Sequence, residues 1–64
     1  MKPKFRIIQT AENMWLEKLE GDNYEPMCAV KDRLEGLYYL KIMNLEGPYE
    51  IHYKNGEVES GHTP

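Results

Sequence analysis

Hydrophobic and polar positions alternate most regularly through YEIHYKNGEVE, residues 49–59. Tyr49, Ile51 and Tyr53 alternate with Glu50, His52 and Lys54; Asn55-Gly56 interrupts, and Glu57, Val58 and Glu59 follow. Successive side chains of a strand point to opposite faces, so the pattern predicts two strands joined by a turn. Asn-Gly suits a two-residue type I′ loop, in which both central residues take positive φ. That loop would set Lys54 opposite Glu57 and His52 opposite Glu59 on one face. On the other, Tyr53 would meet Val58 and Ile51 would meet Ser60.

The rest of the chain reads as further short strands. FRIIQT, residues 5–10, places Phe5 and Ile7 on one side and Ile8 on the other. Residues 14–20 read as a strand whose return through Glu20–Asn23 pairs Leu19 with Tyr24 and Lys18 with Glu25. In YEPMCAVKD, Cys28 and Val30 share one face and Met27 and Ala29 the other. Pro26 cannot donate to a ladder, so this strand is expected either at an edge or beginning after Pro26. LYYLKIMNLEGP carries apolar residues on both faces over 37–43, with Tyr38, Leu40 and Ile42 inward and Leu37, Tyr39 and Met43 outward. It reads as a strand because Gly36 is a weak helix N-cap. LEG recurs at 19–21, 34–36 and 45–47, each time closing an apolar stretch before a turn. YKNGEVESG resembles the hairpin units of MORN-type repeat proteins over nine residues, which implies a hairpin there.

These elements predict an all-β fold: a small antiparallel meander of five or six strands, curled like a barrel. The alternative is an α+β fold with one short helix at about 11–20, where Thr10 would be the N-cap and Ala11, Met14, Trp15 and Leu19 would share a face. The expected core is Phe5, Ile7, Leu16, Cys28, Val30, Leu40, Ile42, Ile51, Tyr53 and Val58. Residues 1–64 form one domain, with SGHTP at 60–64 read as a mobile tail.

Composition then narrows the function classes. A chain of 64 residues buries only about 60% of its extended surface, so its stability margin is small. A single cysteine, Cys28, rules out an internal disulfide and suits a reducing compartment. No apolar run is long enough for a membrane span, and the expected location is the cytoplasm. Eight Lys and Arg stand against eleven Asp and Glu, a net charge of −3, which gives no long-range attraction to nucleic acid or an anionic membrane.

Catalytic and metal chemistry find little to build on. Cys28, His52 and His62 lack the spacing of a zinc site, so neither metal nor cofactor is expected. Cys28 with His52 is the one Cys–His pair, and Cys28 sits among apolar neighbours. The five glycines are dispersed singly, with no phosphate-cradling loop. The expectation is therefore a non-enzymatic binding or regulatory protein acting through protein–protein contacts and self-associating as a homo-oligomer. Small acidic proteins of this kind include inhibitors encoded by mobile elements. Trp15, Tyr39, Lys41 and Met43 are the candidate partner-binding residues, since aromatic and Met side chains exceed what a thin core needs. The alternative is a single-stranded nucleic-acid-binding module using Lys2, Lys4 and Arg6 with aromatic stacking.

Overall fold

The computed structural model describes residues 2–63. Five strands form one open sheet, crossed on one face by a single helix. In chain order the elements are β1 (Phe5–Gln9), β2 (Met14–Glu20), β3 (Asn23–Val30), α1 (Arg33–Ile42), β4 (Pro48–His52) and β5 (Val58–His62). The strand order is β3-β2-β1-β4-β5. The chain is thus sheet-dominated, as expected, but the sheet is neither purely antiparallel nor closed. β1 and β4 run parallel, because α1 carries the chain from β3 across to the far side of β1 before β4 begins.

The one helix lies at 33–42, where a strand was expected, and residues 14–20 are strand. Local chemistry accounts for the difference. Asp32 is the N-cap and its Oδ1 accepts the Glu35 N–H at 2.9 Å, while Glu35 Oε1 accepts the Lys31 N–H at 2.9 Å. At the other end Asn44 takes φ 54°, its N–H donates to Lys41 O, and the Leu45 N–H donates to Leu40 O. Those two bonds form a Schellman closure, which satisfies carbonyls a helix end would otherwise leave unpaired. Gly36, read as a poor cap, is instead a buried interior residue of α1.

Across the second connection the strand pairing matches the sequence reading, although the turn is tighter because Glu20 also pairs with Asn23. The β2–β3 hairpin pairs Leu19 with Tyr24 and Lys18 with Glu25, turning on Gly21-Asp22 with Gly21 at φ 64°. β3 is an edge strand whose register shifts opposite Leu16 and Glu17, next to Pro26. The final hairpin differs by one residue. Gly56 has φ 95° but Asn55 does not take positive φ, so the loop is not type I′. The Gly56 N–H donates to Tyr53 O and the Tyr53 N–H to Glu57 O, giving a three-residue loop with glycine in the left-handed position. The ladder consequently pairs Ile51 with Glu59 and His52 with Val58. A slip of one residue exchanges the faces, so Val58 points away from the core and Glu59 toward the helix side.

The core between sheet and helix comprises Phe5, Ile7, Met14, Leu16, Val30, Leu40 and Ile51. Cys28 and Tyr53 are half-buried against it. Ile42 and Val58, expected inside, are about half exposed, Ile42 because it lies on the outer side of a helix and Val58 through the register slip. Met14 joins the core because it opens β2 on the same face as Leu16, opposite Val30.

Two devices fasten the edges. Arg33, in the first turn of α1, makes a two-point contact with Glu59 of β5: Nε to Oε1 at 2.8 Å and Nη2 to Oε2 at 2.6 Å. The Tyr53 hydroxyl adds a third donor to Glu59 at 2.7 Å. Residues 60–62, expected in a mobile tail, complete β5, and Thr63 beyond them is buried. Its hydroxyl donates to Leu45 O and accepts the Gly47 N–H, both at 2.8 Å, and its own N–H donates to Gly47 O. Pro64 lies outside the described residues.

Candidate functional site on the uncovered face of the sheet

α1 packs on one face of the sheet and leaves the other open. The registers place side chains of the open face in rows across the strands. One row runs Ala29, Trp15, Ile8, His52, Val58, from β3 to β5. Trp15 and Val58 remain 38% and 52% exposed, and Met27 at the bulge of edge strand β3 is exposed too. The next row runs Glu17, Arg6, Glu50, Ser60. An apolar row thus borders a charged one.

Arg6 is the centre of the charged row. Its Nε and Nη2 both reach Glu17 Oε1, at 2.9 and 2.8 Å, and its guanidinium lies 4.0 Å from the centroid of the Tyr24 ring. The Tyr24 hydroxyl donates to Pro3 O, which ties the chain before β1 to β3. Burial pushes the Tyr24 hydroxyl pKa up, opposed by Arg6 and reinforced by Glu50 and Glu17. On β4, His52 Nε2 lies 2.9 Å from Glu50 Oε1. Together Lys2, Arg6, Asp22, Tyr24, Glu50 and His52 line most of a shallow cavity of about 500 Å³. Its charges are mixed in sign, which suits a polar protein surface better than a polyanion.

The residues singled out in the sequence do not form one patch. Trp15 stands on the open sheet face. Tyr39 is half-buried against the core from the helix side, and Lys41 and Met43 are exposed at the C-terminal end of α1. The basic strip is divided as well: Lys2 donates to Asp22 O at 2.8 Å, Arg6 is held by Glu17, and the Lys4 stem lies over Gly47. Cys28 is on the helix side of the sheet and His52 on the open side, so the single Cys–His pair is not brought together. Among the described residues, no three His, Cys, Asp or Glu side chains gather as a metal-binding group. No helix among them is long and apolar enough to cross a membrane.

Sequence reasoning missed three features. The partners of Arg6, namely Glu17 and Tyr24, follow from the β1–β2–β3 register. The Arg33–Glu59–Tyr53 cluster required the hairpin slip. The third is the outer side of α1, where Leu34, Tyr38 and Ile42 recur at every fourth residue and are 68%, 59% and 50% exposed. That spacing was visible in the sequence once a helix was allowed. No protein-family model, curated protein or solved structure matches this chain.

Proposed function

We propose that this chain is a small non-enzymatic binding protein that acts on a protein partner through the uncovered face of its sheet. The observation that carries the reading is the apolar row centred on Trp15 and Ile8, lying open beside the Glu17–Arg6–Glu50 row. An apolar centre with a charged border is the anatomy of a protein interface, and Trp is prominent among residues that anchor one. The partner that fits offers apolar side chains to Trp15 and Ile8 and charged or hydrogen-bonding groups to Arg6, Glu50 and His52. Covering a partner's surface in this way regulates it without any catalytic group. The nucleic-acid alternative has weaker support, because Arg6 is already paired with Glu17 and Lys2 with a backbone carbonyl.

The experiment is affinity capture from the source cells with wild type, Trp15→Ser and, as a control in the exposed α1–β4 connection, Glu46→Ser. The same protein should be retained by wild type and Glu46→Ser and lost with Trp15→Ser. Trp15 is the single tryptophan, so adding purified partner should also shift its emission to shorter wavelength. Capture that survives Trp15→Ser, with emission unchanged at saturation, would overturn the reading. Binding to a single-stranded oligonucleotide that weakens steeply with salt would favour the alternative.

A further inference from the structure

We infer that α1 packs antiparallel against α1 of a second copy of this chain, about a two-fold axis passing beside Tyr38. The starting observation is the outer side of the helix. Gly36 and Leu40 are buried against the sheet, yet among the described residues Leu34, Tyr38 and Ile42 are the three most exposed large apolar side chains apart from Val58. They sit at i, i+4 and i+8, one line about 12 Å long at 1.5 Å per residue. Single exposed apolar residues are ordinary on a protein surface, whereas a continuous line of them along a helix marks a contact.

The occupant follows from the order of residues along that line. A two-fold contact requires that if residue i meets residue j, then j meets i. Centred on Tyr38, an antiparallel pair brings Leu34 to Ile42 of the second copy and Ile42 to its Leu34. Tyr38 meets Tyr38. Glu35 meets Lys41 of the second copy, and this opposite-charge pair occurs twice. A parallel pair would instead set Glu35 against Glu35 and Lys41 against Lys41. Glu35 keeps one carboxylate oxygen for this role, since only its Oε1 is recorded accepting the Lys31 N–H. Antiparallel alignment also places each positive helix N-terminus near a negative C-terminus. A membrane is a poorer occupant: the line is only three residues long and the chain carries a net charge of −3.

The stripe covers a few hundred Å² per copy, at the low end for a specific interface, so the dimer is expected to dissociate in roughly the micromolar range. It also leaves the Trp15 row free, because α1 and that row are on opposite faces of the sheet. The assembly would therefore present two partner-binding faces, a bivalent arrangement that strengthens capture of a partner with repeated or clustered sites.

Sedimentation velocity over a wide concentration range tests the proposal, with helix content followed by circular dichroism. Wild type should show a reversible monomer–dimer equilibrium, retained in Tyr38→Phe and abolished in Tyr38→Glu. Glu35→Lys and Lys41→Glu should each weaken self-association about tenfold, since both contacts become repulsive. Mixed together they should restore it, because each then meets its opposite charge. Lys41→Glu leaves the Asp32 cap untouched, so a folding defect in Glu35→Lys would not remove the test. A mixed-disulfide assay of Leu34→Cys with Ile42→Cys, both in a Cys28→Ser background, reads the same register independently. A wild type that stays monomeric at its highest soluble concentration overturns the proposal, as does a dimer indifferent to Tyr38→Glu. These results are independent of the Trp15 capture experiment, which concerns the other face.

Discussion

Replacing Gly36 by alanine tests how closely α1 is pressed onto the sheet. Glycine inside a helix costs about 1 kcal/mol relative to alanine, so on helix propensity alone Gly36→Ala should stabilise the protein. The packing argues the reverse. A Cβ built at Gly36 lies 2.8 Å from Ile7 Cδ1, closer than carbon atoms approach, and 3.5 and 3.6 Å from Ile7 Cγ1 and Val30 Cγ2. Ile7 is fully buried between Leu16 and Ile51, so Cδ1 cannot swing aside freely. Overpacking of this kind costs about 1–3 kcal/mol. The net expectation is a loss of about 1 kcal/mol, which for a domain of this size lowers Tm by about 4–8 °C.

The clash has a specific remedy. Ile7→Val deletes the offending Cδ1 and by itself should cost about 0.5–1.5 kcal/mol. In the double variant the nearest remaining neighbours of the new methyl are those at 3.5 and 3.6 Å, ordinary van der Waals contacts. The two changes should therefore be less harmful together than their sum, by about 1 kcal/mol. Urea unfolding followed by circular dichroism and Trp15 fluorescence gives the four midpoints of the cycle, provided the slopes agree. A Gly36→Ala midpoint above wild type, or a strictly additive cycle, would falsify the argument.

Two further outcomes follow from the edge fastenings. The Arg33 hydrogen bonds, then that of Tyr53, hold the Glu59 carboxyl down from its usual 4.5 to about 2. Its contribution is thus complete above about pH 4.5 and lost as pH falls toward 2. Glu59→Gln should lower Tm near neutral pH and lose less of it than wild type across that acid window, and parallel Tm–pH curves for the two proteins would contradict this. Thr63→Val keeps the side-chain shape but removes the acceptor of the Gly47 N–H, which should cost about 1–3 kcal/mol. Equal urea midpoints, with Gly47 amide exchange as slow as in wild type, would show that the hydroxyl is not holding the chain end.

How much of this was legible in the sequence depended on whether a local signal acted alone. Phe5 and Ile7 are legible because they flank Arg6 in β1, whereas β2 alternates untidily and Leu16 follows only once residues 14–20 are read as a strand through the pairing of Leu19 with Tyr24. The β2–β3 hairpin was readable through Gly21 and the pairing of Lys18 with Glu25. Residues 37–43 read as a strand because the only cap considered is Gly36, four residues beyond the true one at Asp32. Asp32 with Glu35 three positions on is a capping-box pattern, and Asn44 marks the far end. Apolar residues on both sides of 37–43 then looked like a strand buried on two faces, when they belong to a helix with a buried side and an exposed side. The last hairpin failed for a subtler reason: Asn-Gly fits both a two-residue loop and a three-residue loop with glycine last, and the charge pairs favoured the first. The fold chose the second, which gave Arg33 and Tyr53 their carboxylate at Glu59 and put Val58 on the open face. Trp15 was recognised as a surplus aromatic residue, but its neighbours could be named only once the strand order was known, since Ile8 and His52 meet through the parallel β1–β4 pair.

That strand order explains why so small a chain keeps two apolar surfaces. Five strands at about 4.8 Å spacing span close to 20 Å, while a helix with its side chains is about 10–12 Å across. One ten-residue helix can therefore shield only part of one face. Toward β5 that face is closed by other means: Tyr49 lies over Gly61, and Arg33 and Tyr53 converge on Glu59. Among the described residues no element covers the opposite face, so Trp15, Ile8 and Val58 face outward as a consequence of the topology. The outer side of α1 is different, because a helix seated through Gly36, Leu37, Tyr39 and Leu40 could carry polar residues on its other side. It carries Leu34, Tyr38 and Ile42 instead, at a position where each lowers solubility and adds nothing to the core. A sequence with little stability to spare keeps such residues where a contact uses them. The two surfaces differ accordingly in kind: the sheet face is open because the fold cannot close it, and the helix stripe is apolar although the fold does not require it.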